Sequence, residues 1–95
     1  MAREPLVEIN LSAISSPQEL HAALAEKLHF PDWYGANWDA FWDAITGLVE
    51  IPLNLHLIGW NELSQRLPRE SKLLQSCLQQ MATEYPELSP HVRYT

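Results

Sequence analysis

Two aspartates one helical turn apart are the residues best placed to do chemistry in this chain. Asp39 and Asp43 sit in the stretch from Phe30 to Pro52, FPDWYGANWDAFWDAITGLVEIP, with Trp33, Trp38, Trp42, Tyr34, Asp32 and Glu50 around them. No Lys or Arg occurs between Lys27 and Arg66. Paired carboxylates can move protons or attack a glycosidic carbon, hold a metal together with other ligands, or accept hydrogen bonds from a basic partner. Acid–base work needs a pocket, and 95 residues without a Gly-rich loop offer little sign of one. A metal site needs grouped ligands, yet His21, His29, His56 and His91 are dispersed and Cys77 stands alone. No cofactor or metal is therefore expected. From charge alone, an ordinary solvated helix face is a fair reading. The aromatic rim shifts the balance, because Trp and Tyr beside uncompensated charge is the composition of a binding hot spot.

A helix advances by about 100° per residue, so Trp38, Phe41, Trp42 and Ile45 share one apolar face. Asp39, Asp43 and Thr46 form an adjoining stripe bordered by Trp42. Like charges at i, i+4 cost an isolated helix roughly 0.2–0.5 kcal/mol. Asp39 recovers part of that from the positive end of the helix dipole, whereas Asp43 lies beyond the first turn. Phe41 and Ile45 are expected in the core. Trp38 and Trp42 are expected to be split, part of each ring buried and an edge left for a partner.

The remaining elements must hold this stripe in place. Leu6 to Leu11 reads as a first strand. Ser16-Pro17-Gln18-Glu19 combines a capping box with Pro at the first helical position, and Leu20, Ala23, Leu24 and Leu28 follow at helical spacing to an exit at His29–Pro31. Asp32 to Ala36 is a loop in which Gly35 is free to take a backbone conformation closed to other residues. Asn37 is the expected N-cap of the second helix and Gly47 its expected stop. Leu53 to Ile58 reads as a second strand, Gly59 to Leu67 as a short helical turn, and Leu73 to Tyr85 marks a longer helix stopped at Pro86. Val92 and Tyr94 suit a third strand. Cys77 falls in the apolar pattern of the long helix and is expected as a packed core thiol. His56 is expected to be a hydrogen-bonded strand residue, and Trp60 to close an end of the sheet. The order predicts an α/β fold: a small three-stranded parallel sheet packed with about four helices, covered mainly on one side, with residues 1–95 forming one domain.

Composition bounds the function. Apolar content of 46% with 9% aromatics is globular. A formal charge of −6, from twelve acids and six bases, argues against binding nucleic acid or an anionic membrane. The lone cysteine fits a reducing compartment, and the N-terminal residues MAREPLVEIN carry no signal-peptide pattern, so the expected location is the cytoplasm.

The run WYGANWDAFWDAITGLVEIPL resembles the signature of the barstar family, intracellular protein inhibitors of microbial ribonucleases. Tyr34, Gly35, Asn37, Asp39, Ala40, Trp42, Asp43, Ala44, Thr46, Gly47, Val49, Glu50, Pro52 and Leu53 stand at family-like positions. The resemblance implies a three-stranded parallel sheet with four helices, no catalytic activity, a basic ribonuclease or ribonuclease-type toxin as partner, and a monomer when free. It implies that Asp43 enters the enzyme's active site in place of a substrate phosphate. Asp39 meets basic residues at the cleft rim, and Asn37, Trp42, Thr46 and Gly47 surround them. Trp33 stands where the family often has Tyr, Trp38 replaces an aliphatic contact residue, and Leu48 lies where a second Trp can occur. Gln79, with Gln80 next to it, lies near an acidic contact of the last helix. These departures bear on the partner's identity. The competing expectation is the same surface retuned to another basic toxin or regulatory partner.

Overall fold

The computed structural model describes residues 3–95; Met1 and Ala2, the first two positions of the expected domain, lie outside the described residues. Three strands, β1 (Val7–Asn10), β2 (Asn54–Ile58) and β3 (His91–Tyr94), form a parallel sheet in the order β1-β2-β3. Val7 pairs with Leu55 and Ile9 with Leu57, while Leu55 and Leu57 pair on the other side with Val92 and Tyr94. Side chains alternate across a strand, and burial follows. Val7, Ile9, Leu55 and Leu57 enter the core, while Glu8, His91 and Arg93 face water. The helices therefore cover one side, as expected. On the open side His56 lies 3.1 Å from Glu8 Oε2 and 2.7 Å from Thr95 Oγ1, a strand histidine with both ring nitrogens partnered.

Parallel strands need crossovers, and each of the two crossovers here carries two helices. Between β1 and β2 run α1 (Pro17–Leu28) and α2 (Trp38–Asp43), the latter extended by a wider helical turn over Ala44–Leu48. Between β2 and β3 run α3 (Trp60–Arg66) and α4 (Pro68–Glu84). Pro68 both ends the short helix and occupies the first turn of the long one. Gly59 links β2 to α3 with φ 76°, and a Cβ there would stand 2.6 Å from the Ser12 backbone nitrogen. Only glycine fits that crossing. Trp60 packs edge-on against Tyr94 at 4.7 Å and so closes the sheet end.

The core is one cluster in which Ile9, Leu11, Leu24, Phe41, Ile45, Leu57, Leu74 and Met81 are essentially inaccessible. Arg3 clamps its edge. The guanidinium donates to the carbonyls of Ile51 (2.6 Å), Pro52 (3.0 Å), Glu87 (3.2 Å) and Leu88 (2.9 Å), tying the approach to β2 to the loop before β3. Among the described residues, no helix is long and apolar enough to cross a membrane.

Candidate functional site

The site is built on α2 and the loop before it. Asn37 caps the helix, its Oδ1 accepting from Ala40 N at 2.7 Å, while its Nδ2 donates to the Gly35 carbonyl at 3.2 Å. The left-handed residue of the loop is Ala36 (φ 51°), not Gly35. The expectation for Gly35 is corrected on conformation and replaced by one of space, since a Cβ there would approach Asn37 Nδ2 to 3.2 Å. Tyr34 braces the loop from beneath. Its hydroxyl lies 2.6 Å from His21 Nδ1 and reaches toward the Asn37 carbonyl at 3.4 Å. Burial pushes the Tyr34 hydroxyl far up, so it stays protonated, and burial lowers the pKa of His21 against the opposing pull of Glu70.

Gly47 does not stop the helix. It lies inside a π-helical turn, Ala44–Leu48, in which Val49 N donates to Ala44 O at 3.2 Å, an i to i+5 bond. The chain leaves one residue later than its glycine suggests, with Val49 extended. The Thr46 hydroxyl donates to the Trp42 carbonyl at 2.6 Å, giving that carbonyl a side-chain donor from within the wide turn. A π turn holds an extra residue and commonly marks a functional position in a helix.

Phe41 and Ile45 are buried, whereas Asp39 and Asp43 are exposed. Among the described residues neither aspartate forms an ion pair or a side-chain hydrogen bond. Trp42 is half-buried with its ring 6.3 Å from Tyr85, and Trp38 is half-buried between His21 and Phe41. Around them Trp33 is 72% exposed and Leu48 46% exposed, with Asn37 and Gly47 also at the surface and Thr46 half-buried. The loop, α2 and the π turn thus present Trp33, Asn37, Trp38, Asp39, Trp42, Asp43, Thr46, Gly47 and Leu48 in one continuous segment.

Between α2 and α4 lies an open groove of about 420 Å³ lined by Trp38, Asp39, Trp42, Asp43, Cys77 and Gln80. Gln79 does not line it. Cys77 and Gln80 are three residues apart on one helix face, whereas Gln79 is exposed to one side and Gln80 bonds Glu84 at 2.6 Å. Cys77 packs against the core as its apolar surroundings suggest, but not as a fully buried thiol. It is only partly buried at the groove floor, where burial and the Asp39 carboxylate both push its thiol pKa up and keep it neutral. At the N-terminal end of α2 a second depression, about 360 Å³, is lined by Gln18, His21, Asn37, Trp38, Asp39, Arg69 and Glu70 among others. Arg69 thereby closes in space, at one edge, the basic gap seen in the sequence.

Sequence reasoning missed Glu70, which accepts from the Trp38 indole N–H at 2.6 Å. A half-buried indole needs an acceptor, but 32 positions separate the two residues and no local pattern joins them. Among the described residues no group of three or more His, Cys, Asp or Glu side chains could hold a metal ion.

Residues 4–94 match the family model described as barstar (barnase inhibitor), and the chain belongs to the barstar family. A curated relative, "Putative ribonuclease inhibitor YrdF" of Bacillus subtilis (strain 168), is 58% identical over 38 residues. That match covers 40% of this chain and 42% of the relative, so the chain aligns with under half of the relative's length.

Proposed function

We propose that this barstar-family chain is a protein inhibitor of a microbial ribonuclease, acting by occlusion of the enzyme's active site. The observation that carries the reading is the pair Asp39 and Asp43, held on a capped helix, exposed and without protein partners among the described residues. A ribonuclease cleft binds phosphate with Arg, Lys or protonated His. It is therefore a preformed anion site, to which a rigid carboxylate brings short, charge-assisted hydrogen bonds. Asp43 takes the place of a substrate phosphate. Asp39 meets basic groups at the cleft rim, and Trp42 with Thr46, Gly47 and Leu48 excludes water around them. Trp33 and Asn37 extend the contact along the loop. On α4, Gln80 faces the groove and Gln79 stands at its margin.

Burial of an unpaired carboxylate is costly, so the same group that attracts a cationic cleft penalises any surface that lacks cations. The acidic face also steers a basic enzyme toward docking. The chain acts as a stoichiometric binder in the cytoplasm, monomeric when free, with no chemistry of its own. Titration of barnase-catalysed RNA cleavage with the purified protein tests this. The expected result is inhibition with a one-to-one endpoint that collapses in Asp43→Ala. Inhibition untouched by that substitution would sink the mechanism.

A second reading keeps the surface and changes the partner to another basic toxin or regulator. Arg69 at the edge of the acidic face favours it, because a cation there suits a partner other than a uniformly basic one. Repeated capture of a basic partner that is not a ribonuclease, with no ribonuclease inhibited, supports this second reading.

A further inference from the structure

The buried side of Trp38 has a partner that occlusion of an enzyme does not itself require. Trp38 is the first residue of α2, and its indole N–H donates to Glu70 Oε2 at 2.6 Å. Glu70 belongs to the first turn of α4 and is only 8% exposed. Its other oxygen lies 3.4 Å from the Arg69 guanidinium, which is itself largely in water. A carboxylate this far from solvent needs hydrogen-bond donors, and the indole supplies a short one. The ring is fixed further by His21, at 4.5 Å between centroids, and by Phe41, edge-on at 5.3 Å. Three elements therefore set the angle of one indole: α1 through His21, α2 through the backbone and Phe41, and α4 through Glu70.

That angle matters beyond packing. Trp38 and its neighbour Asp39 are the residues shared by the two depressions that flank α2, the groove against α4 and the cleft toward α1. A swing of the indole would widen one depression at the expense of the other and change what lies beside Asp39.

We propose that Glu70 is a positioning residue of the partner-binding surface. By holding the Trp38 indole it fixes the wall between the two depressions and the surroundings of the Asp39 carboxylate. The consequence for binding rests on the inhibitor reading above; the hold on Trp38 does not. A plain clasp between α2 and α4 would change stability alone, whereas a positioning residue also changes affinity in a protein that remains folded.

The test compares Glu70→Ala, which removes the acceptor, with Glu70→Gln, which keeps one acceptor oxygen. In ¹H–¹⁵N spectra of the free protein, Glu70→Ala should move the Trp38 indole resonance and perturb the Asn37–Ala40 amides, while Glu70→Gln leaves both near their wild-type positions. With barnase as the assay enzyme, Glu70→Ala should weaken inhibition about tenfold and Glu70→Gln about threefold or less, in line with an orphaned against a retained hydrogen bond. In the Trp38→Phe background, Glu70→Ala should add no further loss. Ser16→Ala serves as the stability control, since it removes the cap of α1 outside the presented segment: it should lower the melting temperature and leave inhibition unchanged. An unmoved indole signal in Glu70→Ala, or full inhibition by that variant, would overturn the proposal. If the wild type leaves barnase uninhibited, that partner is lost to the functional reading, and the indole and amide signals still decide whether Glu70 holds Trp38 and Asp39.

Discussion

The two helices of the first crossover begin alike and use their acids in opposite ways. In α1, Ser16 Oγ accepts from Glu19 N at 3.2 Å, and the Glu19 carboxylate turns back to accept from Ser15 N and Ser15 Oγ, both at 2.8 Å. Those bonds hold Glu19 below the usual carboxylate range. In α2, Asn37 makes the equivalent cap, but Asp39 and Asp43 turn outward to water. One helix satisfies its polar groups within the fold. The other obeys the rules of capping and core packing on its inner side and leaves its outer side incomplete. Local consistency is the signature of a segment that serves only the fold, and a departure from it marks a segment that serves something else.

The contrast can be broken at several points. The largest effect is expected from Asp43→Ala. Removing one member of a charge pair buried in the complex costs about 3–5 kcal/mol of affinity. The free protein should be as stable as the wild type or slightly more so, because the repulsion from Asp39 goes with it. Isothermal titration and urea denaturation separate the two, and a destabilised free protein would mean that Asp43 serves the fold. Next come the caps. Ser16→Ala and Asn37→Ala should each lower stability by about 1 kcal/mol. Of the two, only Asn37→Ala should also weaken inhibition, since it alone stands in the presented segment. Equal losses of inhibition would erase the distinction between the helices.

His21 lies on the seam, carried by α1 and packed against Tyr34 and Trp38. Burial puts its pKa in the folded chain below the ordinary 6.5. A proton therefore prefers the unfolded chain. The contribution of neutral His21 is complete above the unfolded value and is lost as pH falls through the folded one. Urea midpoints measured between about pH 7.5 and about pH 5 should fall less steeply in His21→Gln than in the wild type; parallel curves would show that His21 does not titrate with unfolding. The smallest effect is expected at Arg69, which is exposed at the rim. Arg69→Gln should speed association with a basic enzyme severalfold at low salt and leave dissociation nearly unchanged. Loss of that gain at high salt would confirm its electrostatic origin.

Local physics made much of this legible before the fold was seen. The Ser16 and Asn37 caps, the burial of Phe41 and Ile45 and the order of elements along the chain all follow from short-range patterns, whereas the long helix, read from Leu73, begins already at Pro68. The acidic stripe was visible for the same reason, being a matter of spacing along one helix. What was not legible depends on distance or on a changed period. Glu70 meets Trp38, and Gln80 and Cys77 meet α2, only because α4 packs across it. An apolar pattern placed Cys77 near the core but carries no information about the groove that exposes it. Gly47 suggested a stop because a period of 3.6 does not anticipate an i to i+5 turn, and Gly35 drew attention from Ala36, which holds the left-handed conformation.

The π turn has a consequence for how this surface can change through descent. A substitution at Thr46, Gly47 or Leu48 alters one side chain and leaves its neighbours where they are. The wide turn holds one residue more than an α-helical turn would, so an in-frame deletion of a single codon within Ala44–Leu48 would draw the segment back to ordinary helical pitch. The chain beyond the turn would keep its heading, since the wide turn is what absorbs the extra residue, and the change would fall on the bulge that carries Thr46, Gly47 and Leu48. A lineage thus has two independent ways to meet a new partner here: fine adjustment by replacing side chains, and a reshaping of the backbone at the wide turn by altering length. The second needs no new residue type, and a comparison of relatives position by position without gaps would overlook it.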